Sequence, residues 1–300
     1  MVWKTCGKRM TSIPVLRLAP SPNGQLHLGH AYSALLNDQL ARRLGGRLLL
    51  RIEDIDPGRS RPEFVAQVFD DLAWLGLSWQ EPVRQQSNHL ADYRAAAAKL
   101  QSLGLLYPCF ASRTEIEAAA GVMSATDPDG APIYPGLWRD ADTMEVERRR
   151  ASGEPFALRL DMARALALLP RPLSYSAFEL ADPGSLRLVS ADPGLWGDPV
   201  IVRKETPTSY HLSVVHDDAL QGVTHVIRGK DLEAATGLHV LLQALLGLPS
   251  PVYHHHRLIA GPGGRKLSKS LGDTSLVQLR RDGVSPVDIR RLVGLDSSVT

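Results

Sequence analysis

Two short segments near opposite ends of the 300-residue chain carry side chains suited to nucleotide chemistry. Residues 17–30 end in HLGH, which places His27 and His30 close to Gly29, and residues 266–270 read KLSKS. A glycine-containing turn from a strand into a helix offers backbone N–H groups and the positive end of a helix dipole to a phosphate. Histidine and lysine side chains add hydrogen bonds and positive charge, so the two segments together predict an ATP site.

Each segment has a simpler interpretation when it stands alone. A histidine in such a turn often only caps or packs, and a basic loop is often only solvated. The order of the segments, and the apolar strand before the first, favour the functional interpretation. Gly261, Gly263 and Gly264 indicate a hinge for loop closure. The chain contains no GxxxxGK[ST] phosphate loop.

The elements that must position these segments alternate between strand and helix. Apolar runs predict strands at residues 15–18 and 48–52, and helical spacing predicts helices at residues 31–44, 62–75 and 90–103. This order predicts an α/β fold with a parallel sheet and right-handed crossovers. Ligands of such sheets bind beyond the carboxyl ends of the strands, so we expect the site there.

The regular alternation stops in the middle of the chain, where proline, glycine and polar turns predict an inserted subdomain with helices at 112–120 and 140–152. Strand-like residues return at 199–203, residues 210–215 lead into the second half of the sheet, and residues 232–246 form an apolar helix. The predicted organisation is a tail at 1–14, the first half of the catalytic domain at 15–108, the insertion at 109–196, the second half at 197–250, and the KLSKS loop with a helical segment at 251–300.

Charge and composition exclude several classes of protein. The chain has 34 basic and 32 acidic residues, a formal net charge of +2, and 44% hydrophobic residues. It therefore has enough apolar residues for a core and is not a generally basic nucleic-acid binder. Any RNA contact must come from a local patch, and the candidates are the arginines at 42–43, 148–150, 280–281 and 290–291. The alternative for each patch is a solvated helix face.

The cysteine count and the apolar runs predict a cytoplasmic protein without a membrane anchor. Only Cys6 and Cys109 occur, which excludes a disulfide framework. No apolar run approaches the ~18 residues of a membrane-spanning helix. The first fourteen residues lack the apolar stretch of a signal peptide; either translation starts at Met10 or this tail is disordered.

Four stretches resemble, in the same order, the glutamyl group of class I aminoacyl-tRNA synthetases. They are residues 17–37, 51–56, 210–229 and 264–270, within a resemblance that spans roughly residues 15–275. It implies a Rossmann-like class I catalytic domain with a parallel sheet, interrupted by an inserted acceptor-side subdomain and followed by a short helical segment. It also implies a ligase that uses glutamate and ATP, with Mg²⁺ arriving on the ATP.

The length of the chain after the KLSKS segment distinguishes between members of the glutamyl group. Only thirty residues follow Ser270, fewer than the ~50 that a domain typically needs. The sequence therefore resembles the stand-alone glutamyl-Q tRNA(Asp) synthetase family, which has no anticodon-binding domain and attaches glutamate to the queuosine base of tRNA(Asp). This implies a cytoplasmic enzyme, expected to be a monomer, whose partner is tRNA(Asp) containing queuosine.

Glutamate has two carboxylates and one ammonium group, and its pocket should mirror those charges. Arginine offers a planar pair of donors to a carboxylate, and an acidic side chain pairs with the ammonium. Arginine at position 228 implies a charged substrate side chain, because glutaminyl relatives lack it. The alternative is that Arg17 and Glu53 simply pair on neighbouring strands. The resemblance assigns glutamate binding to Arg17, Ser21, Glu53, Tyr210 and Arg228.

The resemblance assigns the nucleotide end of the site to the two opening segments. The reaction joins the α-carboxylate of glutamate to the α-phosphate of ATP and releases pyrophosphate, so catalysis depends on positioning and charge stabilisation. A helix starting near Ala31 would direct its N–H groups at the phosphates. The implied catalytic residues are His27, His30, Lys266 and Lys269. The implied ATP-binding residues are Pro20, Gly24, His27, Gly29, His30 and Lys269.

The insertion departs from the resembled family at its zinc site. Many members of the glutamyl group use Cys-x-Cys, then Tyr and Cys; this chain keeps Cys109 and Tyr134 but has Ala111 and Trp138 at the other positions. One thiolate and one phenol do not make a tetrahedral zinc site, so zinc is not expected. The residues expected to replace it by apolar packing are Phe110, Leu137 and Trp138.

Three consecutive histidines, residues 254–256, could suggest a metal site, but their spacing argues against one. Adjacent residues of a strand point to opposite faces, so the three rings cannot converge on one ion. We instead expect His254 or His256 to contact the adenine or ribose of ATP.

Three other functions remain open from the sequence. A compact glutamyl-tRNA synthetase would charge a tRNA 3′ end. A non-catalytic paralogue would bind RNA or adenylates, but the retained candidate site residues argue against it. A nucleotidylyltransferase would share the HxGH turn, but it would not explain two arginines in one pocket.

Overall fold

The structure is a computed structural model that describes residues 13–121, 124–169, 172–259 and 274–295. The KLSKS segment, with Lys266 and Lys269, lies outside the described residues. Within them, no helix combines the length and the apolar character that a membrane crossing requires.

The described residues form ten strands and ten α-helices. The strands are β1 (Val15–Leu18), β2 (Arg47–Ile52), β3 (Gln80–Gln85), β4 (Leu106–Cys109), β5 (Ala157–Leu160), β6 (Ser174–Glu179), β7 (Asp182–Ser190), β8 (Val200–Val202), β9 (His225–Gly229) and β10 (Val252–His256). The helices are α1 (Leu28–Arg43), α2 (Pro62–Trp74), α3 (Leu90–Ser102), α4 (Arg113–Ala120), α5 (Thr143–Ala151), α6 (Met162–Ala167), α7 (Tyr210–Leu220), α8 (Ala235–Leu246), α9 (Leu276–Arg281) and α10 (Pro286–Leu292).

Two mainly parallel sheets meet beside β1. Strands β1, β2 and β3 are parallel neighbours in that order. Strands β9, β10 and β6 are also parallel, and β7 closes that sheet with an antiparallel edge. Just before β9, the backbone N–H of Thr224 donates to the Val15 carbonyl at 2.9 Å. The carboxyl ends of β1, β2 and β9 therefore lie at one edge, where a ligand site was predicted.

The middle of the chain contributes to two different sheets. Strands β4, β5 and β8 form a separate antiparallel sheet next to α4 and α5. Strands β6 and β7, although they lie within the range 109–196 assigned to the insertion, belong to the sheet of β9 and β10. The exact boundaries of the insertion remain a prediction.

The core packs on both sides of this framework. One apolar cluster lies between the first sheet and the helices α1, α2, α9 and α10, and it includes the fully buried Leu16, Leu35, Leu50 and Ile52. A second cluster joins α3, α7 and α8 around Leu100, Leu212 and Leu241. Most of α8 is buried because it is apolar nearly all round.

The helices predicted at 140–152 and 232–246 begin three residues later, at Thr143 and Ala235. Two further predicted elements differ for a physical reason. Helix α1 begins at Leu28 rather than at 31, because the side chain of His27 caps its first turn. Residues 210–215, expected to lead into the sheet, are the start of α7. Their apolar run packs on α8 rather than on a neighbouring strand, and a short apolar run does not distinguish these cases.

Candidate active site

A cavity of about 310 Å³ lies at the carboxyl ends of β1, β2 and β9. A smaller cavity of about 90 Å³ shares Glu53 and Tyr210 with it and is also lined by Ser21. Gly24 lies in the turn before α1 and lines neither cavity. The predicted site residues that line the larger cavity are Arg17, Pro20, His27, Gly29, His30, Glu53, Tyr210 and Arg228.

The HLGH segment is the first turn of α1, and its two histidines hold each other in place. Nδ1 of His27 accepts from the N–H of Gly29 at 3.1 Å, and Nδ1 of His30 accepts from the N–H of His27 at 3.1 Å. Each neutral ring therefore carries its proton on Nε2. The simpler interpretation of a capping histidine is thus correct for His27, and the same geometry fixes an Nε2–H donor on a ring that lines the cavity.

The His27 ring leaves no room for a side chain at position 29, which explains the glycine there. A Cβ at this position would lie 3.0 Å from Cε1 and 3.1 Å from Nδ1 of His27. Any larger residue would push the His27 ring away from its capping position. Gly29 also lines the cavity, and its assignment to ATP binding stays a prediction.

Arg17 is a buried cation with a carboxylate partner. Its Nε lies 3.2 Å from Oδ1 and 3.4 Å from Oδ2 of Asp218 on α7. Its Nη1 donates to the carbonyl of Ile227 at 3.4 Å. Arg17 therefore does not form the pair with Glu53 that was the alternative interpretation.

Glu53 is held instead by Arg51, which is fully buried in β2. Nη2 of Arg51 lies 3.1 Å from Oε1 of Glu53, and Nη1 lies 2.8 Å from Oδ1 of Asp218. Burial raises the pKa of the Glu53 carboxyl, and the charges of Arg51 and Arg17 oppose that rise. An ammonium group bound here would add a further charge that favours the ionised carboxylate.

Asp217 is a further carboxylate beside the buried Arg51, with 3.9 Å between Oδ2 and Nε. It accepts from Arg84, Gln86 and Tyr93, each at 2.8 Å. Burial alone would raise the pKa of Asp217, but its hydrogen bonds and the charge of Arg51 lower it overall. The sequence analysis missed Arg51, Asp217 and Asp218. A signal was present for Arg51, a charge inside the apolar strand predicted at residues 48–52. Asp217 and Asp218 lie beyond the segment predicted at residues 210–215, so no such signal marked them.

Arg228, near the end of β9, has a different surrounding. Its Nη1 lies 3.1 Å from Nδ1 of His239, and its Nη2 donates to Oγ1 of Thr236 at 2.8 Å. Its side chain lies over the ring of Tyr253, with 5.6 Å from Cζ to the ring centroid. Among the described residues, no carboxylate lies within 4.0 Å of its guanidinium group, and Nε has no hydrogen-bond partner.

The histidines around Arg228 are neutral. Burial and the charge of Arg228 lower the pKa of His211 and of His255 to about 3, and they lower that of His239 well below its ordinary value. Arg228 is only 5% exposed. A buried positive charge with neutral neighbours favours a bound anion.

The three consecutive histidines turn to different partners, as strand alternation predicts. His254 contacts the carbonyl of Phe178 through Nδ1 at 2.9 Å, His255 contacts Thr236, and His256 contacts the carbonyl of Arg257. Of the pair expected near the nucleotide, His256 lines the larger cavity. The contact with adenine or ribose stays a prediction.

At the positions where many members of the glutamyl group bind zinc, this chain has a cluster of aromatic rings and hydrogen bonds. Sγ of Cys109 lies 3.3 Å from the Tyr134 hydroxyl, which also accepts from the N–H of Trp138. Phe110 packs on Trp138 at 4.9 Å between ring centroids, whereas Leu137 is 45% exposed. The expected packing by Leu137 is therefore wrong, because its side chain points to solvent.

Of the arginine patches proposed for RNA, the one at residues 148–150 pairs with acidic side chains of its own helix. On α5, Arg148 and Arg149 bind Glu145, and Arg150 lies 3.4 Å from Glu147. This favours the alternative of a solvated helix face for residues 148–150.

A parallel sheet whose first helix is capped by an HxGH histidine, with a charged cavity at its carboxyl edge, is the arrangement that the resemblance to class I aminoacyl-tRNA synthetase catalytic domains implies. Comparisons with known proteins agree with this class. The family described as tRNA synthetases class I (E and Q), catalytic domain, matches residues 15–296, and the chain belongs to that family. It is therefore a ligase of the synthetase type.

Named relatives are similar over most of the chain. A glutamyl-Q tRNA(Asp) synthetase from Rhodobacter capsulatus is 47% identical over 94% of this chain and 100% of its own length. One from Symbiobacterium thermophilum is 42% identical over 90% of this chain and 82% of its own length. A glutamate–tRNA ligase from Synechococcus is 38% identical over 93% of this chain but only 56% of its own length.

Solved structures show the same fold. A glutamate–tRNA synthetase from Elizabethkingia anophelis superposes with a TM-score of 0.67 at 26% identity, over 87% of this chain and 54% of that one. A glutamate tRNA ligase from Elizabethkingia meningosepticum, in complex with its amino acid, gives 0.68 at 26% identity, over 87% and 53%. This chain spans about half of the length of both.

Proposed function

We propose that this enzyme activates L-glutamate with ATP and transfers the glutamyl group to the queuosine base of tRNA(Asp). The observation that carries the glutamate half is Arg228, a buried cation on the cavity wall without a carboxylate partner among the described residues. The names of the relatives at 47% and 42% identity support the acceptor half.

Glutamate fits the charges of the cavity. The uncompensated guanidinium of Arg228 binds its side-chain carboxylate, and Glu53 pairs with its ammonium group. Arg17 sits between them on β1, where its carboxylate partner Asp218 holds it in place. Tyr210 and Ser21 complete the hydrogen bonds around the amino acid.

ATP fits the opposite side of the cavity, where α1 begins. The N-terminal turn of α1 and the Nε2–H donors of His27 and His30 approach the phosphates. Mg²⁺ arrives with the nucleotide and neutralises part of its charge. The α-carboxylate of glutamate attacks the α-phosphorus, pyrophosphate leaves, and the donors stabilise the negative charge of the transition state.

The KLSKS lysines complete this end of the site. Lys269, with Lys266 nearby in sequence, supplies positive charge to the triphosphate. The described residues on either side of their segment support the assignment: Ile259 lines the cavity, and the N–H of Leu276 donates to the carbonyl of Leu26 at 2.8 Å, next to His27.

Radiolabelled glutamate transfer tests the acceptor. Purified tRNA(Asp), with and without queuosine, is offered to the enzyme, and each tRNA is also tested after removal of its terminal adenosine. We expect label only on queuosine-containing tRNA, unchanged by the truncation. Label that disappears with the terminal adenosine would overturn the proposal.

A second candidate, charging of a tRNA 3′ end, is favoured by the 38% identity to a glutamate–tRNA ligase. The same assay separates the two, because only 3′ charging requires the terminal adenosine. Glutamate-dependent pyrophosphate exchange without label on either tRNA would support glutamate activation and reject tRNA(Asp) as the acceptor.

A further inference from the structure

We infer that His239 and Thr236 of α8 determine the preference for a charged substrate side chain, because they hold Arg228 in place without neutralising it. The inference rests on the proposed function and deepens it. Both residues are positioning residues: they act through Arg228 and belong to the helix behind it.

The two residues fix both ends of the guanidinium group. Nη1 lies 3.1 Å from Nδ1 of His239, and Nη2 lies 2.8 Å from Oγ1 of Thr236. His239 is 2% exposed and Thr236 is fully buried. Bonds to two different nitrogens leave the planar group little freedom to rotate.

A second layer fixes the protonation of these partners. Arg228 can only donate, so Nδ1 of His239 must accept and its proton lies on Nε2. Nε2 of His239 lies 3.2 Å from Nδ1 of His211, which accepts in turn. Oγ1 of Thr236 lies 2.9 Å from Nε2 of His255. Burial and the charge of Arg228 lower the pKa of all three histidines, so the side chains that hydrogen-bond Arg228, and the histidines behind them, are neutral.

This arrangement matters because a carboxylate at either position would orient Arg228 equally well. Asp218 does so for Arg17, on the neighbouring strand β1. A carboxylate beside Arg228 would satisfy its charge inside the protein and compete with the substrate carboxylate. With neutral partners, the buried charge is satisfied only by an anionic ligand, and glutamine does not supply one.

A matched pair of variants tests the inference. His239→Asn places a neutral acceptor near the position of Nδ1, and His239→Asp places a carboxylate of the same shape there. Pyrophosphate exchange is measured with glutamate and with glutamine. We expect the Asp variant to use glutamate about 100-fold or more less efficiently than the Asn variant. The ratio of glutamate to glutamine efficiency should fall with it.

Equal glutamate efficiency of the two variants, with the wild type active, would overturn the inference. No glutamate-dependent exchange by the wild type, either with or without tRNA, would instead overturn the proposed function. Thermal unfolding of both variants is recorded in parallel, because a carboxylate beside Arg228 should leave the Asp variant at least as stable as the Asn variant.

Thr236 provides an independent test if His239→Asp does not fold. Thr236→Val keeps the shape but removes the acceptor, and Thr236→Ser restores it. We expect the valine variant to raise the KM for glutamate about tenfold, the effect of one lost hydrogen bond to a charged group, with kcat changed much less. Serine should restore the KM. Equal KM values for valine and serine would contradict the positioning role.

Discussion

The two sides of the cavity handle buried arginines in opposite ways. On the side of β1 and β2, Arg17 and Arg51 share Asp218, and Arg51 also binds Glu53. On the side of β9, Arg228 is held by a histidine and a threonine. The first side is held together by its own charges, whereas the second leaves one charge for a ligand. A buried cation's partners, rather than its burial, therefore indicate how much of its charge remains for a ligand.

The largest expected effect comes from removing the uncompensated charge. Arg228→Cys should reduce glutamate-dependent pyrophosphate exchange by about 10³-fold, because a desolvated carboxylate would lose its only strong partner on that side. Arg42→Cys, at an exposed arginine of α1, serves as the control. Retained glutamate affinity in the Arg228 variant would break the comparison.

A loss at the nucleotide end should look different. Lys269→Ala should lower adenylate formation by about 10²- to 10³-fold, because one donor to transition-state charge is removed. The KM for glutamate should change far less, because Arg17 and Arg228 remain in the glutamate pocket. Pyrophosphate exchange at the wild-type rate would exclude this role for Lys269.

A loss on the self-compensated side should appear first as instability. Asp218→Asn leaves Arg17 and Arg51 with one carboxylate fewer in a buried site, so unfolding in urea should show a loss of about 3–5 kcal/mol. Glu63→Gln, at an exposed pair with Arg61, should change stability by less than about 1 kcal/mol. A loss at Asp218 as small as at Glu63 would remove the distinction between the two sides.

The neutral histidines predict a smaller effect of pH. Their pKa values are lowered in the folded state, to about 3 for His211 and His255, so below about pH 6.5 the unfolded state binds more protons. Stability should therefore fall as the pH falls from about 6.5, by up to about 1.4 kcal/mol per pH unit for each histidine. His211→Asn should make the slope of unfolding free energy between pH 6.5 and 5 shallower, and an unchanged slope would contradict the neutral surrounding of Arg228.

The smallest expected effect lies outside the cavity. Cys109 and Tyr134 contact each other, and neither Ala111 nor Trp138 offers a zinc ligand. Metal analysis of the purified protein should find no stoichiometric zinc, and a chelator should leave glutamate activation unchanged. One equivalent of zinc per chain would refute this.

Several residues that line the cavity were named from the sequence alone. Val15–Leu18 and the helix after it were recognised from apolar spacing, and Arg17, Glu53 and Arg228 were found through their resemblance to known motifs. All three line the same cavity. Their individual roles remain proposals.

The remainder could not be predicted because it depends on contacts far apart in sequence. Nothing local shows that Asp218 lies between Arg17 and Arg51, 201 and 167 residues away. Nor does any local pattern show that His239 orients Arg228. Helix α7 was missed for a related reason, since the face that packs on α8 is visible only in the folded chain.

We assign the selection of a negatively charged amino acid to the side of the cavity around Arg228. The most direct test of this assignment is pyrophosphate exchange by the wild-type enzyme with L-glutamate and L-glutamine side by side, each with and without tRNA. We predict exchange with glutamate and an efficiency at least about 100-fold lower with glutamine, the difference that a buried, uncompensated charge supports. Comparable exchange with the two amino acids would contradict it.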